Sequence, residues 1–350
     1  MKQKFTDREL FRMWVAKNRM QASHYDSKEG WLRFNKKKCS KHRWISMPAS
    51  AAVVVMLIGV GIALVWHFST KYAAVPVTQN IVRAAGIPVL TLADGKMISL
   101  GDGVAESIRE SEADVVIRDS SLWYVIDKNK KIKGKEVYNT LYTPKGGEYS
   151  LVLADGTRVW LNSETTLRYP VNFIGMQRVV ELEGEAYFEV ASDSLRPFYI
   201  QMNGNTIKVL GTSFNVSNYA SDGSWETTLV EGKVEINSSG LVYTLTPGDH
   251  FTADRVTGET KIVKVNPLQY SSWKDGKVIF HDKRLEDIIR MLSRWYDFEV
   301  FYIHSELKDW HFGGAINKYN SFDVVLHYLE RTANLRFDIQ GKTVMVSSVD

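Results

Sequence analysis

The 350-residue sequence holds a single cysteine, Cys39. That excludes a disulfide framework and any zinc site built on cysteine. Short signatures of common chemistries are missing too. There is no GxSxG nucleophile elbow and no HExxH zinc helix, and His281, His304 and His311 are scattered without an i,i+4 pair. Gly101-Asp102-Gly103 lacks the third glycine of a dinucleotide fingerprint and opens no helix. No cofactor or metal is therefore expected, and no enzyme activity. What is present excludes a disordered chain: 44% of residues are hydrophobic and 24% charged. The length suggests two or three domains.

One absence is local. Ala49 to Phe68 is a run of twenty residues with no formal charge, nine of them Val, Leu or Ile. As a helix it would span roughly 30 Å, the hydrocarbon thickness of a bilayer. Its branched residues alone supply about −3 to −5 kcal/mol of insertion free energy. A signal peptide fits poorly, because forty-eight residues precede the run and no small-x-small cleavage site follows it. The run predicts one transmembrane helix over 49–68.

The net charge of +4 hides an asymmetry around this span. Residues 1–48 carry thirteen Lys/Arg against four Asp/Glu, whereas 69–350 carry thirty-one against thirty-six. Lys36, Lys37, Lys38, Lys41 and Arg43 precede the span, and only Lys71 and Arg83 follow it closely. The positive-inside rule then places the N-terminus in the cytoplasm. The basic run also favours contact with anionic lipid, and no recognition motif accompanies it that would indicate nucleic acid. Gly59 and Ala63 form a small-xxx-small pair, a possible helix-pairing face.

Before the basic run, Phe5-Thr6-Asp7-Arg8-Glu9-Leu10 reads as a helix start with a capping box and a hydrophobic staple. Leu10, Phe11, Trp14 and Val15 form an apolar stripe; Trp31, Leu32 and Phe34 form a second cluster. So short a head cannot bury these aromatics unaided, so they call for a partner protein or the membrane surface.

Residues 69–85 read as a tether. An all-β domain is expected over 86–268, as a sandwich, barrel or stack. Leu90-Thr91-Leu92-Ala93-Asp94-Gly95, running on to Leu100, is echoed sixty-one residues later by Leu151 to Leu161, each with an Asp-Gly hairpin signal of the tight primed type. Val180 to Val190 alternates without a break: Val180, Leu182, Gly184, Ala186, Phe188 and Val190 on one face, Glu181, Glu183, Glu185, Tyr187 and Glu189 on the other. Further strands are expected at Ile207–Val209, Ser213–Val216, Thr227–Leu229, Val234–Ile236 and Val242–Leu245. The glutamate row places neighbouring carboxylates about 6–7 Å apart, a glycosidase-like spacing, but alternation puts acids on any solvated strand face.

From about residue 270 the period changes. Leu285, Ile288, Ile289 and Leu292 lie at helical spacing, as do Phe322, Val325, Leu326 and Leu329 thirty-seven residues on. A strand pattern follows each, at Phe298–Tyr302 and Leu335–Ile339, and Thr343–Val346 closes the series. Two βαβ-type units over 273–347 make a small α+β domain.

Several segments together resemble FecR-type anti-sigma factors. They are Tyr142-Thr143-Pro144-Lys145-Gly146-Gly147-Glu148-Tyr149, Leu153-Ala154-Asp155-Gly156-Thr157-Arg158-Val159-Trp160-Leu161-Asn162, Arg178 to Val190, Val209-Leu210-Gly211-Thr212-Ser213-Phe214-Asn215-Val216, and Thr228-Leu229-Val230-Glu231-Gly232. The signature positions are Asp155, Gly156, Asn162, Gly184, Glu185, Phe188, Gly211, Thr212, Phe214, Glu231 and Gly232. Leu285…Leu292-Ser293-Arg294-Trp295-Tyr296 and Phe312-Gly313-Gly314 resemble the C-terminal domain attached to such proteins in Bacteroidetes-type bacteria, which is similar to the STN fold.

The resemblance implies a multidomain, single-span protein of the bacterial inner membrane. Its cytoplasmic head would hold an ECF-type sigma factor, here through Phe11, Trp14, Trp31 and Phe34. Its periplasmic body would contact the signalling domain of a TonB-dependent outer-membrane transducer. The family's cytoplasmic region is commonly about twice as long, which leaves three readings: a head that binds its sigma factor with a reduced surface, one that has lost that role, or a misassigned start codon, in which case an upstream in-frame extension should exist. A second reading is a membrane-tethered periplasmic carbohydrate- or ligand-binding module with no sigma-factor partner, based on the β architecture and on outward aromatics such as Trp160, Tyr187 and Trp225.

Overall fold

The computed structural model describes residues 81–101, 107–109, 114–118, 121–125 and 136–349. The basic head, the 49–68 run, Phe11, Trp14, Trp31, Phe34 and the basic flank Lys36–Arg43 lie outside the described residues. Among the described residues no helix is long and apolar enough to cross a membrane.

The alternating segment is one twelve-residue strand, Arg178–Glu189, with Val180, Leu182, Ala186 and Phe188 all buried. It belongs to two sheets. Its first half pairs antiparallel with Thr165–Pro170 and parallel with Phe198–Met202. Its second half pairs with Arg158–Leu161 on one side and Ser213–Asn218 on the other. The change of sheet falls at Gly184, whose φ is +100°. A Cβ there would lie 2.5 Å from the Thr165 hydroxyl and 2.6 Å from the Thr165 Cα, so only glycine lets the strand turn so close to its neighbour.

The first sheet runs from the hairpin Val89–Thr91/Met97–Ser99 through Tyr138–Thr143 to the shared strand, then outward to Asn205–Val209, Val234–Ser238 and Leu241–Leu245. The second includes Tyr149–Val152 and Arg158–Leu161 on one flank, and Ser224–Glu231, Asp249–Asp254 and Thr260–Lys264 on the other. One hydrophobic cluster draws on both, with Leu167, Ile200 and Ile236 from the first sheet and Phe214, Leu229 and Phe251 from the second. Of the three all-β forms compatible with the pattern, a sandwich is the one that results.

The two echoed segments form the same hairpin down to its hydrogen bonds. The Leu92 N–H reaches the Lys96 carbonyl and the Gly95 N–H the Leu92 carbonyl; Leu153, Thr157 and Gly156 repeat this at the same offset. The turns differ from the primed type expected. Asp94 and Asp155 do not take positive φ, while Gly95 and Gly156 do, at 86° and 87°. Each is a three-residue loop in which a type I turn is followed by a left-handed glycine. The aspartate caps the turn instead: Asp155 Oδ1 accepts from the Thr157 N–H at 2.9 Å. Its other oxygen holds the fully buried Arg178 at 2.7 Å.

In the C-terminal region, helix Leu285–Trp295 buries Leu285, Ile288, Ile289 and Leu292, and helix Phe322–Thr332 buries Phe322, Val325, Leu326 and Leu329. Glu286 and Asp287 occupy the first turn and Arg294 the last turn of the first helix, complementing its dipole. The repeats meet through rings, Phe322 lying 5.0 Å from Tyr296 and 4.7 Å from Phe298. The strands preceding the helices, Lys277–Arg284 and His311–Asn317, pair antiparallel with each other. The strand Glu299–Tyr302 does not return to that pair: Ile303, just past it, donates to the Val346 carbonyl in the last strand, Thr343–Ser348. The repeats are therefore split between two small sheets, a departure from the simple βαβ units expected.

The stretch expected as a tether over 69–85 is not a tether at its end, because Ile81 is buried and Arg83 and Ala84 are bonded into the body. The sheet-switching glycine gives a direct test. Gly184→Ala should destabilise the protein by about 3 kcal/mol in urea unfolding, through both clash and φ strain. Gly95→Ala, with a similar φ but open space around its Cβ position, should cost only about 1 kcal/mol. Equal losses would contradict the close-approach account.

Candidate functional site: the junction of the two domains

Glu185 faces away from the sandwich core, on the surface that the C-terminal domain covers. Its two carboxylate oxygens each accept one side-chain amide, Asn162 Nδ2 at 2.8 Å and Asn215 Nδ2 at 2.9 Å. Strand pairing fixes this arrangement, since Arg158–Leu161 and Ser213–Asn218 flank Glu185 in the same sheet. The amide oxygens then point outward and take the indole N–H groups of the other domain. Trp273 donates to Asn215 at 2.9 Å and Trp295 to Asn162 at 3.2 Å.

Between the two indoles sits Lys318, with no solvent exposure. Its Nζ lies 4.9 Å from the Trp273 ring centroid and 5.1 Å from that of Trp295. It donates to Glu148 Oε2 at 2.8 Å and to Asn162 Oδ1 at 2.9 Å. Burial pushes the Lys318 pKa down, against the pull of Glu148. Burial alone would raise the Glu148 pKa, but Lys318 and Arg83 hold it below the usual carboxylate range. A buried ammonium left without these partners would be strongly unfavourable, so the network is satisfied only when the domains are docked.

A second polar contact lies on the other side of the junction. Arg294 donates to Asp222 and Ser221, and its guanidinium stacks 3.6 Å above the Tyr219 ring. Next to it opens a cleft of about 350 Å³, lined among others by Asp222, Glu226, Trp273, Lys283, Arg290 and Trp295. His250 adjoins it: its ring stacks on Tyr270 at 4.2 Å and its Nδ1 lies 2.8 Å from the Thr228 hydroxyl. Burial, with the charge of Lys283 second, lowers the His250 pKa to about 4, despite Glu226 at 3.8 Å. Among the described residues, no group of His, Cys, Asp and Glu is placed to hold a metal ion.

Of the signature residues, Asn162 and Glu185 are the two that reach this junction. Asp155 and Gly156 build the hairpin, and Gly184 the sheet change. Phe188 stacks on Phe214 in the core at 5.5 Å. The Thr212 hydroxyl donates to the Lys233 carbonyl, and Gly232 lies against Gly211 and Thr212. Glu231 is exposed, opposite Ser213. The outward glutamates do not share one environment: Glu181 pairs with Arg168, Glu183 is exposed, and Glu185 is covered.

Two of the aromatics expected to face outward into solvent do not: this is a correction. Trp225 is buried against Phe251 at 4.9 Å, and Tyr187 is buried in an edge contact with Trp160 at 5.8 Å. The Lys274 ammonium, 5.1 Å from the Tyr187 ring, caps that pair. Trp225 belongs to the core cluster, on the inner face of its sheet, whereas Tyr187 lies on an outer face that is itself covered.

Two family models match the chain, one described as FecR protein over residues 139–235 and one described as FecR, C-terminal, over residues 277–346. The chain thus matches the FecR model and, further on, the FecR C-terminal model, in that order, over two separate stretches of the described body. It is also similar to two crystal structures, at 1.65 and 2.50 Å, of a candidate anti-sigma factor from Parabacteroides distasonis ATCC 8503. Each is 27% identical with a TM-score of 0.57, and the likeness covers 60% and 61% of this chain and 99% and 100% of the other. No curated protein matches.

Two outcomes are expected. Lys318→Met should cost about 2–4 kcal/mol in chemical denaturation, because Asn162 and Glu148 lose the buried cation they face. For His250 the folded pKa is depressed, so its contribution is complete above about pH 6.5 and is lost as pH falls toward about 4. Between pH 7.5 and 5, stability should therefore drop by about 2 kcal/mol more in the wild type than in His250→Gln. Parallel pH profiles would contradict the assignment.

Proposed function

We propose that the chain is a single-span inner-membrane anti-sigma factor. In this reading residues 1–48 lie in the cytoplasm and bind an ECF-type sigma factor. Residues 49–68 cross the membrane, and the described body is periplasmic. The C-terminal domain, STN-like in its paired helix–strand repeats, receives the signalling domain of a TonB-dependent outer-membrane transducer. The observation that carries the proposal is the order of parts in one chain: a basic aromatic-bearing head, an uncharged twenty-residue run, a FecR domain and a FecR C-terminal domain. The likeness to a candidate anti-sigma factor supports it. Exposed strand edges such as Leu241–Leu245, where Leu241 and Val242 are solvent-facing, offer places for a partner strand.

The test is affinity purification of the full-length protein from the membranes of its own cells. An ECF-type sigma factor should co-purify with the wild type. Recovery should fall at least roughly tenfold with Trp14→Asp plus Trp31→Asp, as expected when aromatic anchors are replaced by charge. Absence of a sigma factor from the wild-type sample, or equal recovery with the double variant, would refute the proposal.

A further inference from the structure

The segment Ile81–Gly86 is the first part of the described body after the 49–68 run, and it is held by both domains at once. The Ala84 N–H donates to the Trp295 carbonyl at 3.0 Å, and Arg83 bridges to Tyr296, both in the C-terminal domain. Arg83 also donates to the Gly146 carbonyl at 3.4 Å and to Glu148 at 3.2 Å, both in the β domain. Its guanidinium reaches the Lys318 carbonyl and lies 4.9 Å from the Tyr319 ring centroid. The domains meet next to this point, where the Gly146 N–H donates to the Arg294 carbonyl at 2.8 Å.

The seat is fitted to backbone. A Cβ on Gly146 would fall 1.8 Å from the Ala84 carbonyl oxygen, and one on Gly86 would fall 2.3 Å from that of Lys145. The strap and the 144–147 loop therefore approach more closely than any side chain there would permit. Ile81 is buried at one end. If the domains part, the strap loses the Trp295 acceptor, the Tyr296 bridge, the Lys318 carbonyl and the Tyr319 ring, and is left with its β-domain contacts to the 144–147 loop and Glu148.

We propose that Ile81–Gly86 is a latch strap, seated only while the two domains are docked, so that undocking frees the segment leading back to residues 49–68. By linkage, loosening the strap also weakens docking. The consequence for signalling rests on the proposed function: an event on the domain junction would be passed to the membrane-proximal chain by release of the strap. The strap itself does not depend on that reading.

Hydrogen exchange on the full-length protein in detergent tests it, through the amides of Ala84 (strap), Gly146 (junction) and Leu153 (inside a β-domain hairpin). Asp222→Ala removes a junction contact that does not touch the strap, and Lys318→Met removes the buried one. Both should speed exchange at Ala84 and Gly146 by roughly tenfold or more and leave Leu153 unchanged, the pattern of a sub-global opening. Arg83→Ala should speed Gly146 as well. A wild-type rate at Ala84 in both junction variants, or at Gly146 in Arg83→Ala, would overturn the proposal. So would acceleration at Leu153 together with the other two in all three variants, because the domains would then open only with the whole fold. No sigma factor enters this experiment, so its failure would leave the proposed function standing, and failure of the co-purification would leave the strap standing.

Discussion

A single buried cation organises the join between the two domains. Lys318 has exchanged water for one carboxylate, one amide oxygen and two indole faces. Each partner is itself anchored: Asn162 to Glu185, Glu185 to Asn215, and Asn215 to Trp273. A network of this kind tolerates little partial opening, since a half-satisfied buried charge is worse than either a docked or a solvated one. Cooperative docking of this kind is a two-state expectation: closed with every group paired, or open with all of them in water.

The β domain prepares its half of this junction by means that have little to do with binding. The shared strand Arg178–Glu189 must change sheets, and Gly184 permits it. The change puts Glu185 at the start of the second sheet, between the strand that bears Asn215 and the strand Arg158–Leu161 that Asn162 directly follows. The buried Asp155–Arg178 pair ties the hairpin to the beginning of the same strand. Core geometry and junction geometry are thus set by one strand, so a change that disturbs either one is expected to reach the other.

Legibility in the sequence followed the range of the interactions. The echoed hairpins, the alternating strand and both helices could be read because their determinants lie within a dozen residues. The edge strand Thr260–Lys264 offered no alternation to read, being mostly solvent-facing. Lys318 gave no signal at all: it sits in a turn after a strand, and its partners are 170 and 156 residues away. Asn162 and Glu185 stood out as signature positions, yet their sequence neighbours could not say that the second domain caps them. Tyr187 misled because alternation assigns a face but not what covers it, and Trp225 because it precedes the expected strand Thr227–Leu229 and so had no face assigned.

The account stands or falls on whether the two domains are held as one cooperative unit through Lys318. A double-mutant cycle between Glu185→Gln and Lys318→Met, which lie on opposite domains and meet through Asn162, measures this directly. Cooperative docking predicts a coupling of at least about 1 kcal/mol in unfolding free energy. Losses that add to within about 0.5 kcal/mol would show that the network does not act as a unit, and would contradict it.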